Sequence, residues 1–436
     1  MSRNAMGYAL AVMNSITTAE WLDHLGLRKP LEKLTYNGVK NGFKAMNTAT
    51  RQFKQVTQRN APVRPDAPAG SKELFDLNLS SEQAMLRDTL EAFARDVIRP
   101  AAHDADANAA LSDDLLAQVA ELGLMFYAVP EAFGGAGDER SPVTQMIIAE
   151  SLAKGDLGIA AAILTPMGVA NALTQWGNAA QQERYLPAFL EEKPLIATMA
   201  INEPKALFNP LQLSTTATRN SNGYLLNGEK NLVLLGEKAE LFLVAAQLEG
   251  KGPSLFLVEA NATGISIANG PAMGLKPAAT VSLKFENVQL EPNALLGDES
   301  FNYQNFLNLC RLGWCSAALG TAAAALEYTI TYANERVAFG EPISHRQSVA
   351  FMVANIGIEL DGMRMMVQRA VARAERGMDF QREAYLARLF CADKAMEIGT
   401  NSVQLLGGHG FTKEHPVERW YRDLRAIALV EGNLHL

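Results

Sequence analysis

Cysteine is scarce in this chain: three in 436 residues, Cys310, Cys315 and Cys391. Thiols at these positions form no disulfide framework and no metal-ligand spacing. The expectation is small core residues in a reducing, intracellular setting. A basic excess is also missing. The formal charge is −8, which argues against general nucleic-acid affinity. No apolar run reaches the roughly 18–20 residues of a membrane span. The N-terminus has only Arg3 ahead of a short apolar run, without a small-residue cleavage site. The alternation of strand and helix around a glycine-rich turn that marks a doubly wound nucleotide fold is absent too. Gly407-Gly408-His409-Gly410 follows a helical pattern, so an ordinary phosphate loop is not expected there.

What is present is an ordinary globular composition, 48% hydrophobic and 20% charged, long enough for two or three domains. The charge is uneven. Residues 1–60 hold nine Lys/Arg against three acids, a balance of +6, so the remainder carries −14. Phe43, Met46 and Phe53 recur there at helical spacing between Lys40, Lys44, Arg51 and Lys54. A basic amphipathic helix of this kind suits an anionic membrane surface, the acidic body of the protein itself, or a partner. Residues 61–71, with three prolines and a glycine, read as a linker.

Helical periodicity then covers about 81–101, 113–123, 142–154, 158–176 and 180–191, opened by the capping pair Ser80 and Gln83. From about residue 198 the pattern changes to short strands at 224–226, 232–235, 241–246, 255–258, 265–268 and 281–285. Turn signals such as Asn222-Gly223 and Asn227-Gly228 separate them. After residue 300 helix returns, with a stripe through Ile356, Leu360, Met363, Val367 and Ala370 and a second helix from about 383 to 406. The fold class expected is mainly α with a β domain. A basic extension and linker (1–73) precede an N-terminal helical domain (74–197), a small β sandwich or barrel (198–299) and a C-terminal helical bundle (300–436). One carboxylate stands out near the end. Glu431 follows the apolar run Ala426-Ile427-Ala428-Leu429-Val430 and precedes Gly432. Poor solvation raises a carboxyl pKa towards that of a general base; a surface glutamate at a frayed end is the alternative.

Five segments in order carry a resemblance. Arg336-Val337-Ala338-Phe339-Gly340 with Gln347, Gln404-Leu405-Leu406-Gly407-Gly408-His409-Gly410-Phe411, and Val417-Glu418-Arg419-Trp420-Tyr421-Arg422-Asp423 followed by Glu431-Gly432 are the strongest. Residues 129–137 and Met273-Gly274-Leu275-Lys276 match more loosely. From about Phe75 to Asn433 the chain resembles the acyl-CoA dehydrogenase family. The resemblance implies FAD held between subunits of a homodimer or homotetramer. It implies that Arg336, Phe339, Gln347, Gln404, Gly408 and Asn433 bind the cofactor and that Arg311 and Gly432 lie by the substrate. It implies Glu431 as the base that takes the α-proton of a medium- or long-chain fatty acyl-CoA, with hydride passing to flavin N5. Electrons would then pass to an electron-transfer flavoprotein. Some members carry the base near Arg311, but this chain has no acid between Asn308 and Trp314. The basic extension and the early stop at Leu436 suggest the very-long-chain, membrane-associated subgroup and a fragment of a longer protein. The location expected is cytoplasmic, peripheral at the inner face of the membrane, or mitochondrial in a eukaryote.

The sequence also departs from the family. Asn202-Glu203-Pro204-Lys205-Ala206-Leu207-Phe208-Asn209 replaces Thr-Glu-Pro-x-Ala-Gly-Ser-Asp, Leu232-Val233-Leu234 replaces Trp-x-Thr, and Asn433 stands where threonine is usual. These changes alter the hydrogen bonds that tune a flavin. A binding or assembly protein with weakened or absent FAD is therefore the second reading, and a flavin oxidase or hydroxylase the third.

Overall fold

The computed structural model describes residues 79–137, 141–297 and 301–434. The basic segment 1–60 and the linker 61–71 lie outside the described residues. Helix α1 (Ser81–Phe93) starts with the expected reciprocal cap: the Gln83 N–H donates to Ser80 Oγ and the Ser80 N–H to Gln83 Oε1, both at 3.1 Å. A wider turn at Ala94–Ile98 joins it to α2 (Arg99–Asn108). Helices α3 (Asp113–Glu121), α4 (Pro142–Ala153), α5 (Leu157–Trp176) and α6 (Ala179–Tyr185) follow. Gly155 sits where a Cβ would lie 2.7 Å from the Ala94 carbonyl oxygen, so glycine permits this close approach.

Eight strands form one sheet: β1 (Ala197–Ala200), β2 (Thr216–Asn220), β3 (Gly223–Val233), β4 (Leu241–Leu248), β5 (Gly252–Glu259), β6 (Ile265–Asn269), β7 (Val281–Leu290) and β8 (Leu295–Leu296). The order is β6-β7-β3-β2-β4-β5-β8, with β1 parallel to β4. Strand β4 shows why it is apolar throughout. Leu241, Leu243 and Ala245 belong to the main core, while Phe242, Val244 and Ala246 face the sheet's own apolar cluster. The β domain lies where it is expected. One expectation is corrected here: 224–226 and 232–235 are not separate strands. Strand β3 runs through Asn227-Gly228, where Gly228 at φ +144° makes a register shift rather than a turn.

The last third is helical. Helix α7 (Tyr303–Glu335) leads through the short strands β9 (Val337–Ala338) and β10 (Glu341–Pro342) to α8 (Gln347–Glu375), α9 (Gln381–Leu406) and α10 (Val417–Leu424). The stripe Ile356, Leu360, Met363, Val367 and Ala370 is buried as its spacing predicts. Gly377 at φ +64° supports the left-handed turn that sends the chain back along α8. One further correction concerns membrane spans. Helices α5 and α7 are long and apolar enough to cross a membrane by length and composition, although the sequence reading found no such run. In both, 67% of the most apolar stretch is buried inside the fold, which accounts for its composition.

Candidate functional site

Glu431 is positioned by α10 and the turn after it. Helix α10 is clamped by charged groups with almost no access to water. Arg419 Nε donates to Asp156 Oδ2 at 2.7 Å, and Arg422 forms a fork with Asp106 at 2.9 and 3.0 Å. Asp423 Oδ1 accepts the Leu275 N–H at 2.7 Å. Burial, with Asp156 adding repulsion, pushes the Asp423 carboxyl up to about 8. Residues 417–423 and 273–276, recognised in the sequence as motifs, thus meet as one structural clamp.

Beyond α10 the backbone enters a turn whose carbonyls from Leu429 to Gly432 are met by side chains from elsewhere. Asn202 Nδ2 donates to the Leu429 carbonyl at 2.9 Å, and the Glu431 N–H donates to Asn202 Oδ1 at 2.7 Å. Arg388 Nη2 donates to the carbonyls of Val430 and Gly432 at 2.6 and 2.7 Å. Arg311 Nη2 donates to the Glu431 carbonyl at 3.3 Å, and the Asn433 N–H donates to the Phe208 carbonyl at 2.9 Å. These contacts hold Glu431 itself at φ +58°, a left-handed conformation that costs a non-glycine residue roughly 1–2 kcal/mol. Gly432 follows at φ +98°, packed against Pro210 too closely for a side chain.

Asn202 is fixed in turn. Its neighbour Glu203 accepts the Ser214 and Thr215 N–H groups at 2.7 and 2.9 Å and Lys230 Nζ at 3.0 Å. Lys230 also donates to the Ile201 carbonyl at 3.0 Å. Burial pulls the Lys230 ammonium down to about 8, and Glu203 opposes that fall, so the pair is ionic at neutral pH. For Glu203 burial raises the carboxyl, but Lys230 and the two N–H groups outweigh it and hold it below its ordinary value.

The Glu431 carboxyl borders a cavity of about 210 Å³. Its walls come from α4, α5 and α7, from β1 and the segment after it, and from the end of β3. Burial raises this carboxyl, Arg388, Arg311 and Trp314 pull it down, and the balance lies at about 7. Glu431 Oε2 is buried without a hydrogen-bond partner. A buried carboxyl with an unpartnered oxygen and a pKa near neutrality has the properties a general base needs.

The expected site residues divide into two groups. Arg311, Gly432 and Asn433 lie with Glu431, but behind it: the arginine and the glycine support its backbone, and neither lines the cavity. Arg336, Phe339, Gln347, Gln404 and Gly408 are exposed and away from the cavity, Phe339 at 97%. Tyr332, one turn before Arg336, hydrogen-bonds the Leu406 carbonyl and His409 Nδ1, so the two glycine-bearing segments share one edge. Of the departures, Leu232 and Leu234 line the cavity, whereas Phe208 is buried in the core and pins Asn433. The residues present fit a flavin. Leu232, Leu234 and Met199 supply an apolar wall for a flat ring, and Thr198 Oγ1, in the cavity lining, is buried without a partner. The exposed guanidinium of Arg336 suits phosphates. Sequence reasoning missed Arg388, Lys230 and the role of Asn202. The signal for Arg388 was a lone cation in the apolar stripe of α9, between Ala384, Ala387, Cys391 and Ala392.

Three domain families match the chain: the acyl-CoA dehydrogenase N-terminal domain over residues 80–193, the middle domain over 198–288 and the C-terminal domain over 302–435. An acyl-CoA dehydrogenase of Bacillus subtilis is 32% identical over 364 residues, covering 82% of this chain and 96% of that protein. The solved structure of butyryl-CoA dehydrogenase from Megasphaera elsdenii superposes with a TM-score of 0.75 at 29% identity, over 82% of this chain and 96% of that one. A chain in the structure titled for the electron transferring flavoprotein of Acidaminococcus fermentans superposes equally well, at 28% identity over the same shares.

Proposed function

The chain belongs to the acyl-CoA dehydrogenase family, and from that premise we propose that it dehydrogenates a medium- or long-chain fatty acyl-CoA with Glu431 as the base for the α-proton. It is an oxidoreductase whose cofactor is FAD, and FAD when bound supplies the acceptor for the β-hydrogen. The observation that supports the base assignment is that Glu431, a residue lining the cavity, is buried with Oε2 unpartnered, on a carboxyl held at about 7.

An unactivated Cα–H is a very weak acid, so its removal requires a base held against it and a polarised thioester carbonyl. Glu431 receives the proton on Oε2. The apolar walls exclude water from that transfer. The Glu431 N–H is a donor on the same residue as the proposed base, and it donates to Asn202 Oδ1. A thioester oxygen that binds the Glu431 N–H requires the Asn202 amide to turn away, which gives up its bond to the Leu429 carbonyl as well. Releasing Asn202 costs its hydrogen bonds in the ground state, and the bond from the Glu431 N–H to the thioester oxygen strengthens as negative charge builds on that oxygen. Arg311 and Arg388 act as supports that stop the turn relaxing out of its strained conformation.

Arg336, Phe339, Gln347, Gln404 and Gly408 are assigned to FAD shared with a second copy of the chain, and Asn433 to the ring end. A homo-oligomer is supported by an exposed apolar stripe on α8, Phe351, Ile358 and Met365, 59–67% exposed at seven-residue intervals, and by Phe339 and Phe411. An electron-transfer flavoprotein is the proposed acceptor. The basic residues 1–60 are assigned to an anionic membrane surface from the cytoplasmic side, and salt-sensitive flotation with anionic liposomes tests that.

The test of function is anaerobic titration of the full-length, FAD-loaded protein with acyl-CoAs of increasing length. Bleaching of a yellow protein, best with medium or long chains, supports the proposal. The second reading, a binding or assembly protein, draws on Leu232 and Leu234, and a colourless protein that takes up no added FAD establishes it instead.

A further inference from the structure

The cavity beside Glu431 is not uniformly apolar. Gln145 on the first turn of α4 and Asn171 on the penultimate turn of α5 both line it. Asn171 is 9% exposed, and its Nδ2 donates to Gln145 Oε1 at 3.2 Å. That is the only side-chain hydrogen bond of either residue among the described residues. The bond uses one donor and one acceptor. It leaves the Asn171 carbonyl and the Gln145 NH₂ group without protein partners at the cavity. Of their neighbours on the same helices, Ala149, Ala161, Leu164, Met167 and Ala172 are apolar, and the Thr165 hydroxyl donates to the Ala161 carbonyl at 2.7 Å. A purely hydrocarbon occupant would cover two amides without satisfying them, which is unfavourable for each. Glu431 is the only charged residue among those lining the cavity, so nothing there neutralises a second carboxylate.

We propose that Gln145 and Asn171 form a subsite for a neutral hydrogen-bonding group, a hydroxyl or carboxamide, on the acyl chain of the substrate. Such a group donates to the Asn171 carbonyl and accepts from the Gln145 amide. This rests on the acyl-CoA reading above and adds to it the chemical class of the acyl group.

The experiment compares three series of matched chain length on the full-length, FAD-loaded protein: unsubstituted acyl-CoAs, acyl-CoAs bearing a terminal hydroxyl or carboxamide, and monothioesters of dicarboxylic acids. Both flavin bleaching and equilibrium binding are read. The expected result is that at some chain length the neutral polar series exceeds the unsubstituted one at least tenfold in kcat/KM or affinity, while the dicarboxylic series is weakest. Gln145→Met and Asn171→Leu should each erase that preference and keep turnover of unsubstituted chains. Equal or better use of unsubstituted chains at every length by the native protein overturns the subsite and assigns the Gln145–Asn171 bond to joining α4 and α5. A preference that survives both substitutions also overturns it. If no series bleaches the flavin, the dehydrogenase reading fails, and the binding arm still decides the subsite.

Discussion

Glu203 and Glu431 are both shut away from water, at 4% and 5% exposed, and Asn202 connects them through one peptide bond and one hydrogen bond. Their surroundings differ. Glu203 is met by a buried ammonium and two backbone N–H groups and is held below the ordinary carboxylate range. Glu431 has its backbone fully engaged but one carboxylate oxygen left without a partner, and it rises to about 7. The two arginines near it donate to carbonyls of its own turn, not to its carboxylate. The same burial therefore gives a carboxylate held low where the charge is fully compensated and one raised towards neutrality where it is compensated only in part, the second suiting the proton acceptor proposed above.

The largest expected effect tests the acceptor. Glu431→Gln should keep FAD and acyl-CoA binding and lower the rate of flavin bleaching by about 10²–10⁴-fold, the range for a general base. The next tests Glu203. Lys230→Met leaves Glu203 buried beside an apolar chain and should cost about 3–5 kcal/mol in urea unfolding. Lys230→Met with Glu203→Leu should recover much of that loss, because the pair then leaves together.

The two sites also differ in how stability responds to pH. Between the ordinary value of 4.5 and about 7 the folded protein keeps the Glu431 proton and the unfolded chain releases it. Stability therefore falls as pH rises through that window, by on the order of 3 kcal/mol in all. Glu431→Gln should remove that fall, so its stabilisation is seen at and above neutral pH and vanishes in acid. The smallest effect concerns the link between the sites. Asn202→Ala frees the Glu431 N–H but loosens the turn, and kcat should drop about tenfold, the scale of one net hydrogen bond, with no rise in KM.

Much of the architecture was legible because it is local. Ser80 and Gln83 announce a helix start three residues apart, and the stripe from Ile356 to Ala370 repeats at helical spacing. Glu431 itself was found from the apolar run before it. The groups that give Glu431 its character were not legible, because they are distant in sequence. Asn202 lies 229 residues away and Arg388 reaches the turn across 42–44 residues. Lys230 gave no local signal, because its partner Glu203 is 27 residues earlier. Asn227-Gly228 was misread for the same reason: a strong local turn signal is overridden by the pairing of β3 with both β2 and β7. Asn202 was visible as a departure from the family pattern, but only the folded chain shows that its amide accepts the Glu431 N–H.

The central claim is that Glu431 is a proton acceptor because its buried charge is compensated only in part. The most direct measurement is the pH dependence of kcat/KM for anaerobic flavin bleaching, in the native protein and in Glu431→Gln. The account predicts a rate that rises through an ionisation near 7 in the native protein, and a low rate without that ionisation in the variant. A variant that bleaches at the native rate, or a native profile flat from well below to well above neutral pH, contradicts it.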